Sequence, residues 1–300
     1  MFITDIFKQR NPVVSFEIFP PNKQSKINTI YNTIESLAML QPDYMSVTYG
    51  ATGVTDSKNL TLKLASFIKN ELKIESLAHL TCIDSSKKQI HDKLLAIKEQ
   101  GIDNVLALRG DLPLNYQNLQ GDFNYASDLI TEIKSNFKLS IGAACHPEGH
   151  IEAKSRVLDL INLKKKVDSG ADFLISQLFF NNQEFYSFLK EVRLLNINIP
   201  VVAGIMPVVN TKQIQRITTL CGANVPEKFK KIMVKYQYNK QALIDAGIAY
   251  ASEQIIDLLS SGVDGVHIYV MNRPEIAKRL ISNISSVVKV LNTKERENAV

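Results

Sequence analysis

The sequence predicts a single α/β domain folded as a (β/α)8 barrel of the TIM type, and three observations carry that prediction. Eight short β-rich runs recur along the 300 residues. Between them lie segments with apolar residues at helical spacing, and most successive runs start about 30 residues apart, the size of a β-α-β unit. No glycine-rich phosphate turn follows the first run in SFEIFPPNKQ, whereas an open doubly wound sheet usually carries one there.

The first run, VVSFEIF (13–19), stops at Pro20 and Pro21, which cannot continue a strand ladder. The helical pattern INTIYNTIESLAML leads into YMSVTYG (44–50), and SLAHLTC (76–82) follows. KKQIHDKLLAIKEQGI precedes NVLALRGD (104–111), with Gly101 placed to end that helix. LSIGAACH (139–146) and FLISQLFF (173–180) come next, and Gly170 in DSGADF is the corresponding helix stop between them. PVVAGIMPV (200–208) is separated from GVHIYVMN (265–272) by about twice the usual interval, so extra helical material around 225–260 is expected between the seventh and eighth strands. Residues 1–300 therefore read as one barrel, with 1–12 and 291–300 as peripheral tails. The charged end KERENAV is expected to fray.

Composition narrows the class. With 45% apolar residues the chain can bury a sizeable core. Its longest apolar stretches, such as VVAGIMPVV, are strand-sized, and MFITDIFKQR lacks the basic-then-apolar layout of a secretory leader. A cytoplasmic protein with no membrane contact is expected. Cys82, Cys145 and Cys221 are odd in number and widely spaced, which argues against disulfides and structural zinc. The net charge of +5 is modest. Taken singly, Lys164–Lys166 and KFKK (228–231) read as solvated helix faces, and without an accompanying motif they imply no nucleic-acid partner.

The polar residues fall late in the strands, where a barrel of this type builds its active site. Side chains alternate across a strand, so Ser15, Glu17 and Phe19 share one face while Val14, Phe16 and Ile18 share the other. The apolar set suits the helix layer, which points Glu17 into the barrel near its mouth. Ser46 and Thr48 repeat the pattern in the second run, His79 and Thr81 in the third, and Arg109 and Asp111 in the fourth, either as site residues or as a simple ion pair. Gln177 follows Ile175, and Tyr269 follows His267 with Arg273 just beyond. Singly, each is a satisfied rim residue; together they read as a site. His146 and His150, with Glu148 and Glu152 interleaved, are the best metal candidates, but Pro147 and Gly149 spoil helical spacing and a metal-free site is expected. No strand end supplies a Schiff-base lysine. What remains is a carboxyl group for proton transfer, its pKa raised if the mouth desolvates it, within a polar rim suited to a ring-shaped ligand.

The motifs SFEIFPP, SVTYGA, HLTC, ALRGD, EAKS, LKKKVDSGAD, SQLFF, GIMP and YVMNR, in this order and spacing from about residue 13 to 290, resemble those of the bacterial-type methylenetetrahydrofolate reductases. The resemblance implies non-covalently bound FAD, a ping-pong reaction with NADH or NADPH as reductant, and reduction of 5,10-methylenetetrahydrofolate to 5-methyltetrahydrofolate for methionine synthesis. It matches Glu17 to the general acid and Asp111 to an aspartate that tunes the flavin and contacts the folate. Gln177, Tyr269 and Arg273 fall at folate-contacting positions. Flavin contacts carry over to Thr48, His79, Arg109, Gly110, Asp111, Tyr125, Ala126, His146, His150, Asp159, Asn162, Lys165 and Lys166. A homo-oligomer, often a tetramer in such enzymes, is also implied.

Three positions depart from the pattern. Lys165 stands where an arginine is common, so a bidentate phosphate contact would become a single one. His146 replaces a tyrosine. Thr211 occupies the place of an aromatic that would stack on nicotinamide or pterin, and loss of such a stack weakens binding by about 1–2 kcal/mol. Another FAD barrel, such as a proline dehydrogenase-like oxidoreductase, and a non-catalytic flavin- or folate-binding protein are the alternatives.

Overall fold

A computed structural model describes residues 1–21, 27–49, 55–111, 121–210, 214, 218–219 and 221–298. Eight parallel strands close into a barrel in chain order: β1 (Val13–Ile18), β2 (Tyr44–Val47), β3 (Glu75–Thr81), β4 (Asn104–Leu108), β5 (Ser140–Cys145), β6 (Phe173–Ser176), β7 (Val201–Ile205) and β8 (Gly265–Tyr269). Closure comes from β1, which pairs with both β2 and β8. The expected runs are all present, but several strands end earlier than the apolar pattern suggests. Phe19, Arg109, Gly110, Asp111, His146 and Gln177 all lie just past a strand end.

Ten helices are found among the described residues: α1 (Ile3–Gln9), α2 (Ile27–Ala38), α3 (Thr55–Asn70), α4 (Lys87–Glu99), α5 (Ala126–Asn136), α6 (Arg156–Asp168), α7 (Asn182–Leu194), α8 (Glu227–Tyr236), α9 (Lys240–Ser260) and α10 (Pro274–Asn298). Their starts follow local chemistry. Ser86 and Gln89 form a reciprocal capping box at α4, and the side chains of Ser155, Asn181 and Asn239 accept backbone N–H bonds at α6, α7 and α9. Gly101 and Gly170 take φ of +71° and +114° just beyond α4 and α6. The expected additional helices between β7 and β8 are α8 and α9.

Two apolar layers follow from strand parity. Val14, Phe16 and Ile18 pack outward with Met45, Val47, Leu80 and Val105 under the helices. Inside the barrel, Val13, Tyr44, Leu77, Leu106, Phe173, Ile175 and Val202 form a second cluster. Ile3 and Ile6 of α1 belong to that inner cluster, and the Ile3 backbone N–H donates to Asn104 Oδ1 at 2.7 Å. Residues 3–9 are therefore a plug at the N-terminal end of the barrel, not a loose tail. Sequence pattern alone missed this because a seven-residue helix is too short to display a full amphipathic period. The side chains of KERENAV lie outside the described residues.

Ile3 is fully buried, so Ile3→Ala removes core volume that the closed barrel end cannot readily refill. Destabilisation of about 2–4 kcal/mol is expected in urea unfolding. An unchanged midpoint would return α1 to the status of a peripheral tail.

Candidate functional site

The C-terminal ends of the strands surround a cavity of about 320 Å³. Its walls carry Glu17, Thr48, His79, His146, Gln177 and Tyr269, with Leu178, Met206 and Met271 supplying an apolar side. Six different strand ends and the loops that follow them thus deliver polar groups to one place, as the late placement of polar residues predicted. Thr211 lies outside the described residues.

Glu17 is held in the wall by β1. Its neighbours across the two ladders are Ser46 of β2 and Tyr269 of β8. The carboxyl group is partly buried, with 20% of the side chain exposed, and the two imidazole nitrogens nearest it both approach Oε2: His79 Nε2 at 3.8 Å and His267 Nε2 at 3.7 Å. Below it, His267 Nδ1 lies 2.7 Å from Ser15 Oγ and its Nε2 3.3 Å from Ser46 Oγ. His267 was not singled out as a site residue from sequence, where it appears only as the residue two before Tyr269. The signal was its parity with Tyr269, which puts both on the interior face.

Burial sets the protonation of the surrounding groups. It pushes the His79 imidazole down to about 4, with the Glu17 charge partly opposing. It also pushes His146 down to about 3, helped by the nearby Lys166 and His150. Both rings are therefore neutral near pH 7. Burial raises the Tyr269 phenol well above its ordinary value, and its hydroxyl donates to Ser176 O at 2.8 Å. The ring comes close enough to β7 to require Gly204: a Cβ there would stand 2.2 Å from Ser176 O and 2.8 Å from the Tyr269 ring. Gln177 is fixed by its backbone, whose N–H donates to Cys145 O, while its Oε1 accepts from Leu178 N at 2.8 Å.

The remaining predicted residues stand around the cavity, not in its wall. Because β4 ends at Leu108, strand parity does not govern Arg109 and Asp111. Arg109 turns to Glu152 in a two-pronged ion pair at 2.7 and 3.0 Å, and Asp111 is exposed. A simple Arg109–Asp111 pair is thus replaced by a link between the β4 and β5 loops. Gly110 takes φ of +93°. His146 and His150 stack edge to face with centroids 4.6 Å apart. Lys166 is half-buried, its Nζ donating to Ala144 O, and loss of solvent around it lowers its pKa against the opposing pull of Cys145 and Asp159. Lys165, Asn162 and Tyr125 are exposed, with Ala126 and Asp159 half-buried nearby on α5 and α6. Arg273 pairs with Glu275 at 2.9 Å beyond β8. Among the described residues, no group of three His, Cys, Asp or Glu side chains is arranged to hold a metal ion. No described helix is long and apolar enough to cross a membrane.

Comparison with known proteins adds a family. The model for methylenetetrahydrofolate reductase matches residues 2–285. A 5,10-methylenetetrahydrofolate reductase of Pectobacterium carotovorum subsp. carotovorum is 35% identical over 264 residues, covering 88% of this chain and 87% of its own length. The Escherichia coli K12 protein of the same description is 33% identical, covering 88% of each. Methylenetetrahydrofolate reductase (NADH) 1 of Arabidopsis thaliana is 33% identical over 299 residues; this chain spans 95% of itself but only 50% of that relative. Among solved structures, a Clostridium thermocellum protein that binds two copies of 5-methyl-5,6,7,8-tetrahydrofolic acid superposes with a TM-score of 0.61. It covers 97% of this chain and all of its own at 13% identity, a likeness of fold.

The depressed His79 pKa has a consequence for stability. The unfolded imidazole takes up a proton near pH 6.5 and the folded one only near 4. Between those values the unfolded chain binds more protons, so stability is lost as pH falls through that window. Urea titrations at pH 7 and pH 5 should differ by about 2 kcal/mol from this group alone. His79→Gln should flatten the dependence, and an identical slope in that variant would remove His79 as its source.

Proposed function

Because the chain belongs to the methylenetetrahydrofolate reductase family, we propose that its barrel mouth reduces 5,10-methylenetetrahydrofolate to 5-methyltetrahydrofolate, with Glu17 as the proton donor. The observation that carries this reading is the position of Glu17. It is the one carboxyl group in the cavity wall among the described residues, and it sits beside two buried histidines. A charge in that setting is costly unless the group does something there. Its task is to protonate the folate nitrogen as the five-membered ring opens. Gln177, whose Oε1 is already taken by Leu178 N, keeps its amide N–H groups for acceptors on the pterin. Tyr269, neutral and anchored to Ser176 O, offers a ring face to a flat substrate. Arg273 is the cation at the rim for the substrate's anionic end.

The residues fit FAD. His79 Nε2 is buried in the cavity wall without a hydrogen-bond partner among the described residues, which suits a ligand acceptor or donor. Thr48 and the neutral His146 share that wall. Arg109 and Gly110, with Asp111 beyond them, edge the β4 end. The half-buried Lys166, with Lys165 outside it, suits a diphosphate, while Asp159, Asn162, His150, Tyr125 and Ala126 suit the sugar and adenine end. FAD, when bound, supplies a hydride carrier between the reduced nicotinamide and the folate. NADH as reductant is supported by the designation of the plant relative, and cytoplasmic location, homo-oligomeric assembly and supply of methyl groups for methionine synthesis complete the reading.

Purified protein supplemented with FAD should be yellow, bleach under anaerobic NADH, and recover its colour on addition of methylenetetrahydrofolate. Protein that takes up no FAD would overturn the flavoenzyme reading, and bleaching without recovery would overturn the folate assignment. Glu17→Gln should bleach but recover at least 100-fold more slowly, the scale of a lost general acid; recovery at the wild-type rate would remove Glu17 from that role.

A further inference from the structure

The seam between β6 and β7 departs from a regular ladder at the height of the cavity. The two strands pair as Leu174↔Val201 and Ile175↔Val202, and Leu174 N donates to Pro200 O at 2.8 Å. A parallel ladder carries that pattern forward along both strands. Ser176 would then lie opposite Ala203, and its carbonyl would accept the N–H of Gly204. The structure shows a different arrangement. Gly204 N donates to Ser176 Oγ at 2.8 Å, and Ser176 O accepts the Tyr269 hydroxyl at 2.8 Å. On its other side β7 stays paired with β8 as far as Ile205, so the opening is confined to the β6 side.

The Ser176 hydroxyl thus takes the ladder place of its own carbonyl. Ser176 is fully buried, and its Oγ is used twice, accepting from Gly204 N and donating to Gln177 O at 2.9 Å. The carbonyl set free in this way is reached from β8, across β7, by the Tyr269 side chain. Gly204 leaves room for the crossing: a Cβ there would stand 2.2 Å from Ser176 O and 2.9 Å from the Tyr269 hydroxyl. A buried N–H or carbonyl left without a partner is costly, so these exchanges hold only as a set. Their effect reaches the cavity wall, which Gln177 and Tyr269 both enter. Gln177 is tied by its N–H to Cys145 O and by its carbonyl to Ser176 Oγ. Tyr269 is tied to Ser176 O. One residue therefore sets the spacing between the two.

We propose that Ser176 is a positioning residue for folate recognition, its hydroxyl keeping the β6–β7 seam open so that Gln177 and Tyr269 meet the pterin at a fixed spacing. The inference rests on the reading of this cavity as the folate site. Without Oγ, Gly204 N is left with the carbonyl of position 176, the ordinary ladder acceptor. The seam then closes and crowds the Tyr269 hydroxyl away from that carbonyl.

Anaerobic single-turnover reoxidation of the reduced enzyme, followed over a range of folate concentrations, tests the proposal. Ser176→Ala should raise the folate concentration for half-saturation about 5- to 10-fold, the scale of one hydrogen bond. The rate at saturation should stay close to that of the wild type, because Glu17 lies on β1, away from this seam. Ser176→Thr, which keeps an Oγ, should hold the wild-type half-saturation. Tyr269→Phe keeps the ring but gives up the anchor, and should raise half-saturation by a similar factor. The double variant Ser176→Ala, Tyr269→Phe should be no worse than the more impaired single variant. An unaltered half-saturation in Ser176→Ala, multiplying losses in the double variant, or a Ser176→Thr impairment equal to that of Ser176→Ala would overturn the positioning role. In the wild-type protein, no scalar coupling across a hydrogen bond should connect the Gly204 amide nitrogen to the Ser176 carbonyl carbon. Finding one would show a closed ladder and overturn the inference without any variant having to fold. Reduced wild-type enzyme that the folate fails to reoxidise would instead overturn the reading beneath it.

Discussion

The pairing of β1 with β8 is the contact on which the rest of the molecule depends. It joins segments about 250 residues apart, aligning Ser15 with His267 and Glu17 with Tyr269. Without it the sheet has two open edges and no interior. With it, alternate side chains of every strand must share one enclosed volume, and the volume sorts itself by height. Ile3, Ile6, Tyr44, Leu77 and Phe173 fill the closed end. Ser15, Ser46 and His267 form a polar floor above them, and Glu17, His79, Gln177 and Tyr269 stand at the open end.

A polar floor inside a barrel is expensive unless its members satisfy one another. The solution here is neutrality. Burial keeps His79 and His146 uncharged at physiological pH and keeps the Tyr269 phenol protonated. The ionisable acid is placed where it retains some contact with the cavity. Cationic groups are kept to the periphery, where Arg109 is paired with Glu152 and Arg273 with Glu275. Lys166 is the exception: it is half-buried and donates to the Ala144 backbone carbonyl, an arrangement that suits an anion arriving from outside.

Alternation made much of this legible before any coordinates. The reading of Ser15 and Glu17 as inward, and of Val14, Phe16 and Ile18 as outward, needed only the two-residue period of a strand, and the outward set does pack under the helices. The same reasoning failed at Arg109 and Asp111, since it assumed that β4 continued to Asp111 when the ladder stops at Leu108. Hydrogen bonding, not hydrophobicity, ends a strand, and apolar pattern does not report it. The inward role of α1 was hidden for a related reason: two buried isoleucines in seven residues are too few to define a face. His267 was visible as a letter on the correct parity but not as the neighbour of Ser15 and Ser46.

By itself, then, the sequence determined the elements, their order, the barrel class and the side of each strand that meets the interior, because these depend on local periodicity and on turn chemistry. Tertiary structure alone decided which polar groups meet: that Glu17 stands over His267, that Arg109 answers to Glu152, and that residues 3–9 seal the far end. Those contacts join residues separated by tens to hundreds of positions, and their partners are fixed by strand register and barrel closure. Periodicity can say which way a side chain points, but only closure says what it finds there.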